Sequence, residues 1–297
     1  MKLHDDQIDI DERTLRSLLV AQYPRLAELP ITRVASTGTV NALFRIGDEF
    51  VARLPLIERW SEGIDREWKW IPWLTERIGS VRLPEPVFKG EPNDAFPFRW
   101  SIYRWIEGAT YDHGIVDDER AAADTLAAFV RELRSLDVID GAPLGGRDPL
   151  RELDGDTRDA IRHSAGAIDA DAAMAVWDEA LDAPTWDGDP VWIHGDLLPP
   201  NLIVRGGRIV AVIDYGYIGL GDPATDLIPA WSVFGSEGHW RFRAALDPDD
   251  GTWSRGRGIA LHQAAMIIPY YAESNPRLVE VARNTIEHIL DDAGSRR

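Results

Sequence analysis

The sequence predicts an α+β protein in which a small β-rich N-terminal lobe precedes a larger, mainly α-helical C-terminal lobe. Three observations support this fold class. Short runs with the character of β-strands fill most of the first third of the 297-residue chain. After Gly108, apolar residues recur instead at helical spacing. Hydrophobic residues make up 44%, enough for a sizeable core, and we expect two lobes, residues 1–106 and 107–297, with a cleft between them.

One helix, several strands and a second helix are predicted in the N-terminal third. Residues 11–22 have the apolar spacing of a short amphipathic helix with acidic residues in its first turn, and Pro24 ends it. A second helix is predicted over residues 61–77, with Ser61 as its N-cap and Pro72 as an irregularity within it. Strand patterns are found at residues 31–34, 42–46, 50–54, 86–89 and 98–105.

Helical patterns dominate the rest of the chain. Residues 117–136 have the clearest amphipathic pattern. Further helices are predicted at residues 148–164, 170–182, 223–234, 257–272 and 276–292. In this part only residues 191–214 carry strand patterns, so the C-terminal lobe should be mainly α-helical.

The composition excludes several classes of protein. Because the chain has no Cys, it has no disulfide framework, no thiolate metal site and no Cys nucleophile. The first residues lack the apolar segment of a signal peptide, and no apolar run reaches the roughly 20 residues needed to cross a bilayer. We therefore expect a cytoplasmic protein.

The net charge of −18, from 32 basic and 50 acidic side chains, bears on the partners. Such a surface repels nucleic acids and anionic membranes, so we expect neither as a partner. It attracts a cationic small molecule, although an acidic surface also serves solubility alone. Both a monomer and a homodimer are compatible with the sequence.

A polar turn follows the apolar strand pattern of residues 191–193. Its sequence is His194-Gly195-Asp196, and Asn201 follows five residues after the aspartate. Asp and Asn are ordinary loop-forming residues, and that explanation suffices for any one of them. We favour a functional interpretation because a second acidic residue, Asp214, also follows an apolar strand in the same unit.

A β-hairpin should bring these polar side chains together. Strand patterns at residues 202–204 and 209–213 flank a Gly-Gly turn. Asn201 enters the first strand and Asp214 leaves the second, so antiparallel pairing places both at the same end. Asp196 lies in the loop that leads to that end. Carboxylate and carboxamide oxygens suit Mg²⁺, which usually completes its shell with phosphate oxygens and water.

The segment resembles the catalytic and metal loops of the aminoglycoside phosphotransferase and small-molecule kinase family, which is related to the protein kinases. That family has His-Gly-Asp, four residues, Asn, and then a hydrophobic hairpin that ends in Ile-Asp and an aromatic residue. The typical Asp-Pro-x-x-Asp-Leu is present here as residues 222–227. Asp222 fits a helix N-cap, and we interpret it and Asp226 as structural supports of the loop. The resemblance is clear from Ile31 to Trp231 and implies a bilobal protein-kinase-like fold.

The resemblance also implies a reaction, the transfer of the γ-phosphate of ATP or GTP to a hydroxyl of a small molecule. Asp196 would orient that hydroxyl and accept its proton, while charge neutralisation by other groups assists the transfer. Asn201 and Asp214 would bind Mg²⁺. We expect His194 to hold the loop through hydrogen bonds, because the preceding strand should bury it.

The N-terminal lobe would bind the nucleotide. Arg53, on the strand pattern of residues 50–54, is in the position where protein kinases have the Lys that binds the α- and β-phosphates. Arg forms paired hydrogen bonds to phosphate and stays charged, so it fits this role, and Arg45 on the neighbouring strand is the alternative. The phosphate-covering loop would contain Ser36, Thr37, Gly38 and Thr39.

Two further contacts of the N-terminal lobe follow from the resemblance. Glu67, in the helix at residues 61–77, is the candidate partner of Arg53, and the alternatives are Glu62 and Glu76. The hinge between the lobes would bind the purine edge through backbone N–H and C=O groups, and it comprises Tyr103, Arg104 and Ile106.

The acceptor is the least determined part of the interpretation. The acid excess favours an aminoglycoside-type antibiotic, and a macrolide or another small metabolite is also compatible with the sequence. The residues that could line its site are Trp231, Tyr270, Tyr271 and Glu273.

Two hypotheses from other classes compete with a phosphotransferase. A catalytically silent kinase-like binding protein would be expected to lose Asp196, Asn201 or Asp214, and all three are present. A metal-dependent hydrolase using His194 and Asp196 would need further ligands at metal spacing, and the other His residues are scattered without such a pattern.

Overall fold

The N-terminal part of the protein is built on a five-stranded antiparallel sheet. The structure, a computed structural model, describes residues 7–35 and 40–294. The order in space is first, second, third, fifth, fourth, so the third strand is central. A strand lies at each of the five predicted positions: β1 (Ile31–Arg33), β2 (Asn41–Ile46), β3 (Phe50–Pro55), β4 (Pro86–Gly90) and β5 (Trp100–Arg104).

Two helices accompany this sheet, α1 (Glu12–Gln22) and α2 (Glu62–Thr75), and both confirm predictions. The Asp11 side chain accepts the Thr14 N–H at 2.8 Å and so caps α1. Ser61 precedes α2 as predicted, but its side chain makes no capping hydrogen bond. Pro72 is accommodated inside α2.

The C-terminal part is mainly helical. Its helices are α3 (Glu119–Arg134), α4 (Asp154–His163), α5 (Ala170–Asp182), α6 (Pro229–Ser232), α7 (Ser236–Leu246), α8 (Asp250–Tyr271) and α9 (Pro276–Gly294). Its strands are β6 (Ala109–Thr110), β7 (Val191–Ile193), β8 (Leu202–Arg205), β9 (Arg208–Val212) and β10 (Gly219–Gly221). Strand β8 pairs with β6 and β9, whereas β7 pairs with β10.

Several predicted helix boundaries are wrong. The helix predicted at 223–234 is split into a 3-10 turn and α6, because Asp226 has non-helical backbone angles and Pro229 has no N–H to continue the pattern. The helix predicted at 148–164 begins only at α4. Helix α8 begins earlier than predicted, because the Asp249 side chain caps it by accepting the Thr252 N–H at 2.9 Å. The sequence interpretation missed α7 entirely.

Tryptophan side chains join α2 to the C-terminal part. Trp70 of α2 lies 5.0 Å from Trp192 of β7, centroid to centroid, and Trp73 lies 5.2 Å from the same ring. Trp70 and Trp192 are buried, so these rings belong to the core. Strand β5 belongs to the N-terminal sheet and ends at Arg104, whereas β6 pairs with β8 in the C-terminal part. The division of the chain into lobes of residues 1–106 and 107–297 stays a prediction. Within the described ranges, no helix combines the length and apolar character of a membrane span.

Candidate active site

The β8–β9 hairpin brings Asn201 and Asp214 to the same end, as its sequence predicted. Leu202 pairs with Val212, and the Ile213 N–H donates to the Asn201 carbonyl at 2.9 Å. Asp214 follows with a φ of 67°, a left-handed conformation that Asp tolerates better than most residues. The turn and the strand register of this hairpin therefore determine the backbone positions of Asn201 and Asp214.

Asp196 lies between two side-chain amides. The Asn201 Nδ2 donates to Asp196 Oδ2 at 2.9 Å and to the Asp196 carbonyl at 2.8 Å. The Gln263 Nε2 of α8 donates to Asp196 Oδ1 at 2.9 Å. The carboxylate is 20% exposed, and burial raises its pKa above the ordinary value. A raised pKa makes this carboxylate a better proton acceptor than a surface Asp.

Buried His194 stabilises the loop that contains Asp196 through hydrogen bonds. The Asp196 N–H donates to His194 Nδ1 at 3.2 Å, and His194 Nε2 lies 3.2 Å from the Ile213 carbonyl. These contacts require a neutral ring that carries its proton on Nε2. Burial lowers the pKa of His194 from 6.5 to about 4, so the ring stays neutral near pH 7. His194 therefore holds the loop, in agreement with the prediction.

Gly195 meets a conformational requirement. Its φ is +84°, and a Cβ there would lie 2.9 Å from the Tyr217 carbonyl oxygen. A side chain at this position would clash with the backbone and strain the left-handed turn. Only glycine lets the loop pass this close to residue 217.

Asp226 and Asp222 are structural supports of the loop that contains Asp196, as the sequence indicated. Buried Asp226 accepts the N–H groups of His194 at 2.7 Å and Gly195 at 2.9 Å. Burial raises the pKa of Asp226 from 3.8 to about 6. Asp222 accepts the Ala224 N–H at 2.9 Å and is paired with Arg255 of α8 at 2.7 Å.

Arg53 lies in a network of buried charges with Glu67. Its Nη1 donates to both Glu67 carboxylate oxygens, at 2.8 and 2.9 Å, and its Nη2 lies 3.0 Å from Asp214 Oδ1. Burial alone would lower the pKa of Arg53, but Asp214 and Glu67 outweigh it and raise that pKa above its ordinary value. The alternative, Arg45, is paired with Glu107 instead.

Glu67 joins three segments of the chain. Besides Arg53 of β3, it accepts the hydroxyl of Tyr103 of β5 and the Tyr215 N–H, the latter at 2.7 Å. Tyr215 directly follows Asp214, so α2, the N-terminal sheet and the end of the β8–β9 hairpin are connected through one buried carboxylate. The alternatives Glu62 and Glu76 are not part of this network.

The donor set at the hairpin end fits Mg²⁺. Asn201 donates through Nδ2, which leaves its Oδ1 for a metal ion, and Asp214 uses one carboxylate oxygen for Arg53. In the described part of the chain, no three His, Asp or Glu side chains form a metal-binding group. Two hard oxygen ligands that phosphates and water must complement match the preference of Mg²⁺.

Two of the residues predicted at the hinge have partners within the protein. The Tyr103 side chain binds Glu67, and the Arg104 N–H donates to the Glu85 carbonyl at 2.9 Å. The binding of a purine edge by the backbone of this segment stays a prediction. Within residues 7–35 and 40–294, the Ile106 N–H donates to no backbone carbonyl. The predicted loop residues Ser36, Thr37, Gly38 and Thr39 lie outside the described residues.

The predicted acceptor residues differ in exposure. Trp231 is fully buried against Trp253, 4.5 Å away, and Tyr271 is also buried. Tyr270 and Glu273 are exposed. Among these four residues, Trp231 and Tyr271 belong to the protein interior.

Two residues beside Asp196 were missed by sequence reasoning. Arg147 Nη2 lies 3.8 Å from Asp196 Oδ1, and Gln263 donates to the same oxygen. A signal for Gln263 exists, because His262 and Gln263 interrupt an otherwise apolar stretch of a predicted helix. For Arg147 the sequence carries no such signal beyond its position after two glycines.

Comparison with known proteins supports the interpretation of the motif. A family model described as the phosphotransferase enzyme family matches residues 31–259. An aminoglycoside 3'-phosphotransferase from Escherichia coli is 29% identical over 174 residues, 54% of this chain and 59% of that protein. The uncharacterized protein YcbJ from Bacillus subtilis strain 168 is 25% identical over 186 residues, 59% of this chain and 58% of that protein. The chain thus matches about three fifths of the length of these relatives.

Solved structures share the fold over nearly the whole chain. The GDP and kanamycin complex of APH(2'')-IIIa has a TM-score of 0.73 at 17% identity and covers 95% of this chain and 99% of that chain. The apoenzyme of the macrolide 2'-phosphotransferase MphH from Brachybacterium faecium has a TM-score of 0.57 at 20% identity and covers 91% and 97%. These similarities confirm the predicted bilobal protein-kinase-like fold.

Proposed function

We propose that this chain, which belongs to the phosphotransferase enzyme family, moves the γ-phosphate of ATP or GTP to a hydroxyl of a small molecule. One observation carries the proposal. Each carboxylate oxygen of Asp196 accepts a hydrogen bond from one side-chain amide, and Asp196 lies in the loop that leads to Asn201 and Asp214. This arrangement supports Asp196 as the proton acceptor and the neighbouring Asn201 and Asp214 as ligands for a metal ion.

The reaction needs few covalent steps from the protein. The acceptor oxygen forms a bond to the γ-phosphorus, the bond to the β-phosphate oxygen breaks with its electrons leaving on the nucleoside diphosphate, and Asp196 takes the hydroxyl proton. Arg53 would bind the α- and β-phosphates through the N–H groups of the guanidinium that Glu67 orients. Asn201 and Asp214 would bind Mg²⁺, which neutralises phosphate charge when bound.

The acceptor we propose first is an aminoglycoside-type antibiotic. Two observations favour it: the net charge of −18 attracts a polycation, and one relative is named an aminoglycoside 3'-phosphotransferase. A macrolide is the second candidate, supported by the shared fold of the macrolide 2'-phosphotransferase MphH. A silent binding protein is the alternative of another class, and the intact Asp196, Asn201 and Asp214 weigh against it.

The test is a nucleotide-consumption screen with ATP and with GTP over aminoglycosides, macrolides and hydroxylated metabolites. We expect Asp196→Asn to lower kcat by about 10²–10⁴-fold while nucleotide still binds. Asp187→Asn, the same change at an exposed position, serves as the matched control. If Asp196→Asn and the wild-type protein transfer phosphate equally fast, the proposal is wrong. Nucleotide binding without any transfer would support the silent binding protein.

A further inference from the structure

Gln263 is a buried polar residue in direct contact with the proposed proton acceptor. It lies on α8, far in sequence from the His-Gly-Asp loop, and is only 8% exposed. Its Nε2 donates to Asp196 Oδ1 at 2.9 Å. Its Oε1 is also buried and, among the described residues, accepts no hydrogen bond.

The amide of Gln263 restricts a rotation that the backbone leaves free. The terminal torsion of an Asp side chain is broad, so a single donor on one oxygen does not determine the plane of the carboxylate. Asn201 occupies Oδ2 and Gln263 occupies Oδ1, and the two donors together determine that plane. Arg147 cannot replace Gln263, because its Nη2 is 3.8 Å from Oδ1, beyond hydrogen-bond distance.

The orientation of the Gln263 carboxamide follows from Asp196. A flipped carboxamide would place Oε1 against a carboxylate oxygen and lose the hydrogen bond. Oε1 therefore faces away from Asp196 Oδ1, and a buried carbonyl oxygen without a donor is unfavourable. The position of Gln263 therefore leaves one buried atom unpaired while it directs an N–H donor at Asp196.

We propose that Gln263 is a positioning residue, whose Nε2 holds the carboxylate of Asp196 in the plane in which it accepts the hydroxyl proton. This inference rests on the proposed function and adds a residue of α8 to it. Asn201 bonds to Oδ2 and Gln263 bonds to Oδ1, so the carboxylate is held from two segments that are distant in sequence.

The first experiment tests the positioning role with water as the phosphate acceptor. Gln263→Met keeps the length of the side chain and removes both polar atoms. We expect the nucleotide hydrolysis that depends on Asp196 to fall about tenfold or more in kcat, because a small misplacement of a reacting group is costly. The KM for nucleotide should stay within about twofold, since Gln263 contacts no residue proposed to bind it. Gln22→Met on α1, whose Gln side chain bonds to Glu91, is the matched control and should behave as wild type.

A second variant, Gln263→Glu, keeps the shape of the side chain and removes the amide donor. We expect kcat for hydrolysis to fall as in Gln263→Met, while the KM for nucleotide stays within about twofold. A wild-type kcat in Gln263→Glu would overturn the positioning role.

The outcomes also separate this inference from the proposed function. If Asp196→Asn abolishes hydrolysis while Gln263→Met keeps wild-type kcat, only the inference on Gln263 is wrong. If Asp196→Asn hydrolyses nucleotide like the wild-type protein, the proposed function fails and the inference fails with it. A purely structural role of Gln263 would lower the thermal midpoint and raise the nucleotide KM together, and that result would overturn the positioning role.

Discussion

Replacing Glu67 by Gln tests whether the buried carboxylate organises the nucleotide side of the cleft. The change preserves the shape of the side chain and removes its charge. Gln has one carbonyl oxygen, whereas Glu67 accepts from Arg53, the Tyr103 hydroxyl and the Tyr215 N–H. At least one of these donors would face the new NH₂ group and lose its partner.

The expected cost follows from burial rather than from distance. Arg53 and Glu67 are 15% and 1% exposed, with N–O distances of 2.8 and 2.9 Å. Arg241 and Asp124 make a similar paired contact, at 2.6 and 2.9 Å, but are 51% and 45% exposed. Breaking a buried pair costs about 3–5 kcal/mol. Because Arg53 keeps Asp214 as a second partner, we expect the lower end of this range. An exposed pair contributes about 1 kcal/mol or less.

Urea unfolding of Glu67→Gln and of Asp124→Asn measures this difference directly. We expect Glu67→Gln to lose about 3 kcal/mol or more of unfolding free energy, and Asp124→Asn less than about 1 kcal/mol. The nucleotide KM should rise in Glu67→Gln only, because Arg53 loses the partner that orients it. Equal losses of stability in the two variants would refute the argument from burial.

Two further predictions concern the loop and α8. Asp226→Asn should cost about 1–3 kcal/mol of unfolding free energy and lower kcat. Asn has only one side-chain oxygen, so it cannot accept the N–H groups of both His194 and Gly195. Urea unfolding and steady-state kinetics measure the two effects, and unchanged values would contradict the prediction. Burial lowers the pKa of His262 from 6.5 to about 4, so the neutral folded form adds stability above pH 6.5 that is lost as pH falls toward 4. The wild-type protein should therefore lose about 2 kcal/mol more unfolding free energy between pH 7 and pH 5 than His262→Gln does. Equal losses in the two proteins would contradict a buried neutral ring.

The half of the site that is proposed to bind the nucleotide phosphates was largely predictable, because the geometry of its hairpin is local. Asn201 and Asp214 flank one hairpin, and antiparallel pairing alone brings them to one end. The pairing of Arg53 with Glu67 was also inferred, although it required the family resemblance to select Glu67 among the acidic residues of α2. The roles of all these residues in binding and catalysis stay predictions.

The contacts of Arg147 and Gln263 with Asp196 could not be predicted because they join distant segments. Arg147 follows two glycines in a loop, and Gln263 lies on a helix whose start was placed several residues too late. Neither position can be related to Asp196 without the packing of α8 against residues 223–227 and of the loop at residues 143–146 against β10. The boundary errors at α6 and α8 differ in origin: Asp226 is held by the distant N–H groups of His194 and Gly195, whereas Asp249 caps α8 through a local bond to the Thr252 N–H.

Helix α8 connects Asp196 to two other parts of the C-terminal region. Three residues of this single 22-residue helix reach different supports: Arg255 binds Asp222, His262 lies 2.8 Å from the Thr157 hydroxyl, and Gln263 binds Asp196. A continuous helix transmits a shift at one of these points to the others, because its backbone hydrogen bonds keep the spacing constant. A substitution that moves α8 would therefore also move the amide that is proposed to orient Asp196. We therefore expect kcat to depend on the position of α8 even when the acceptor is water.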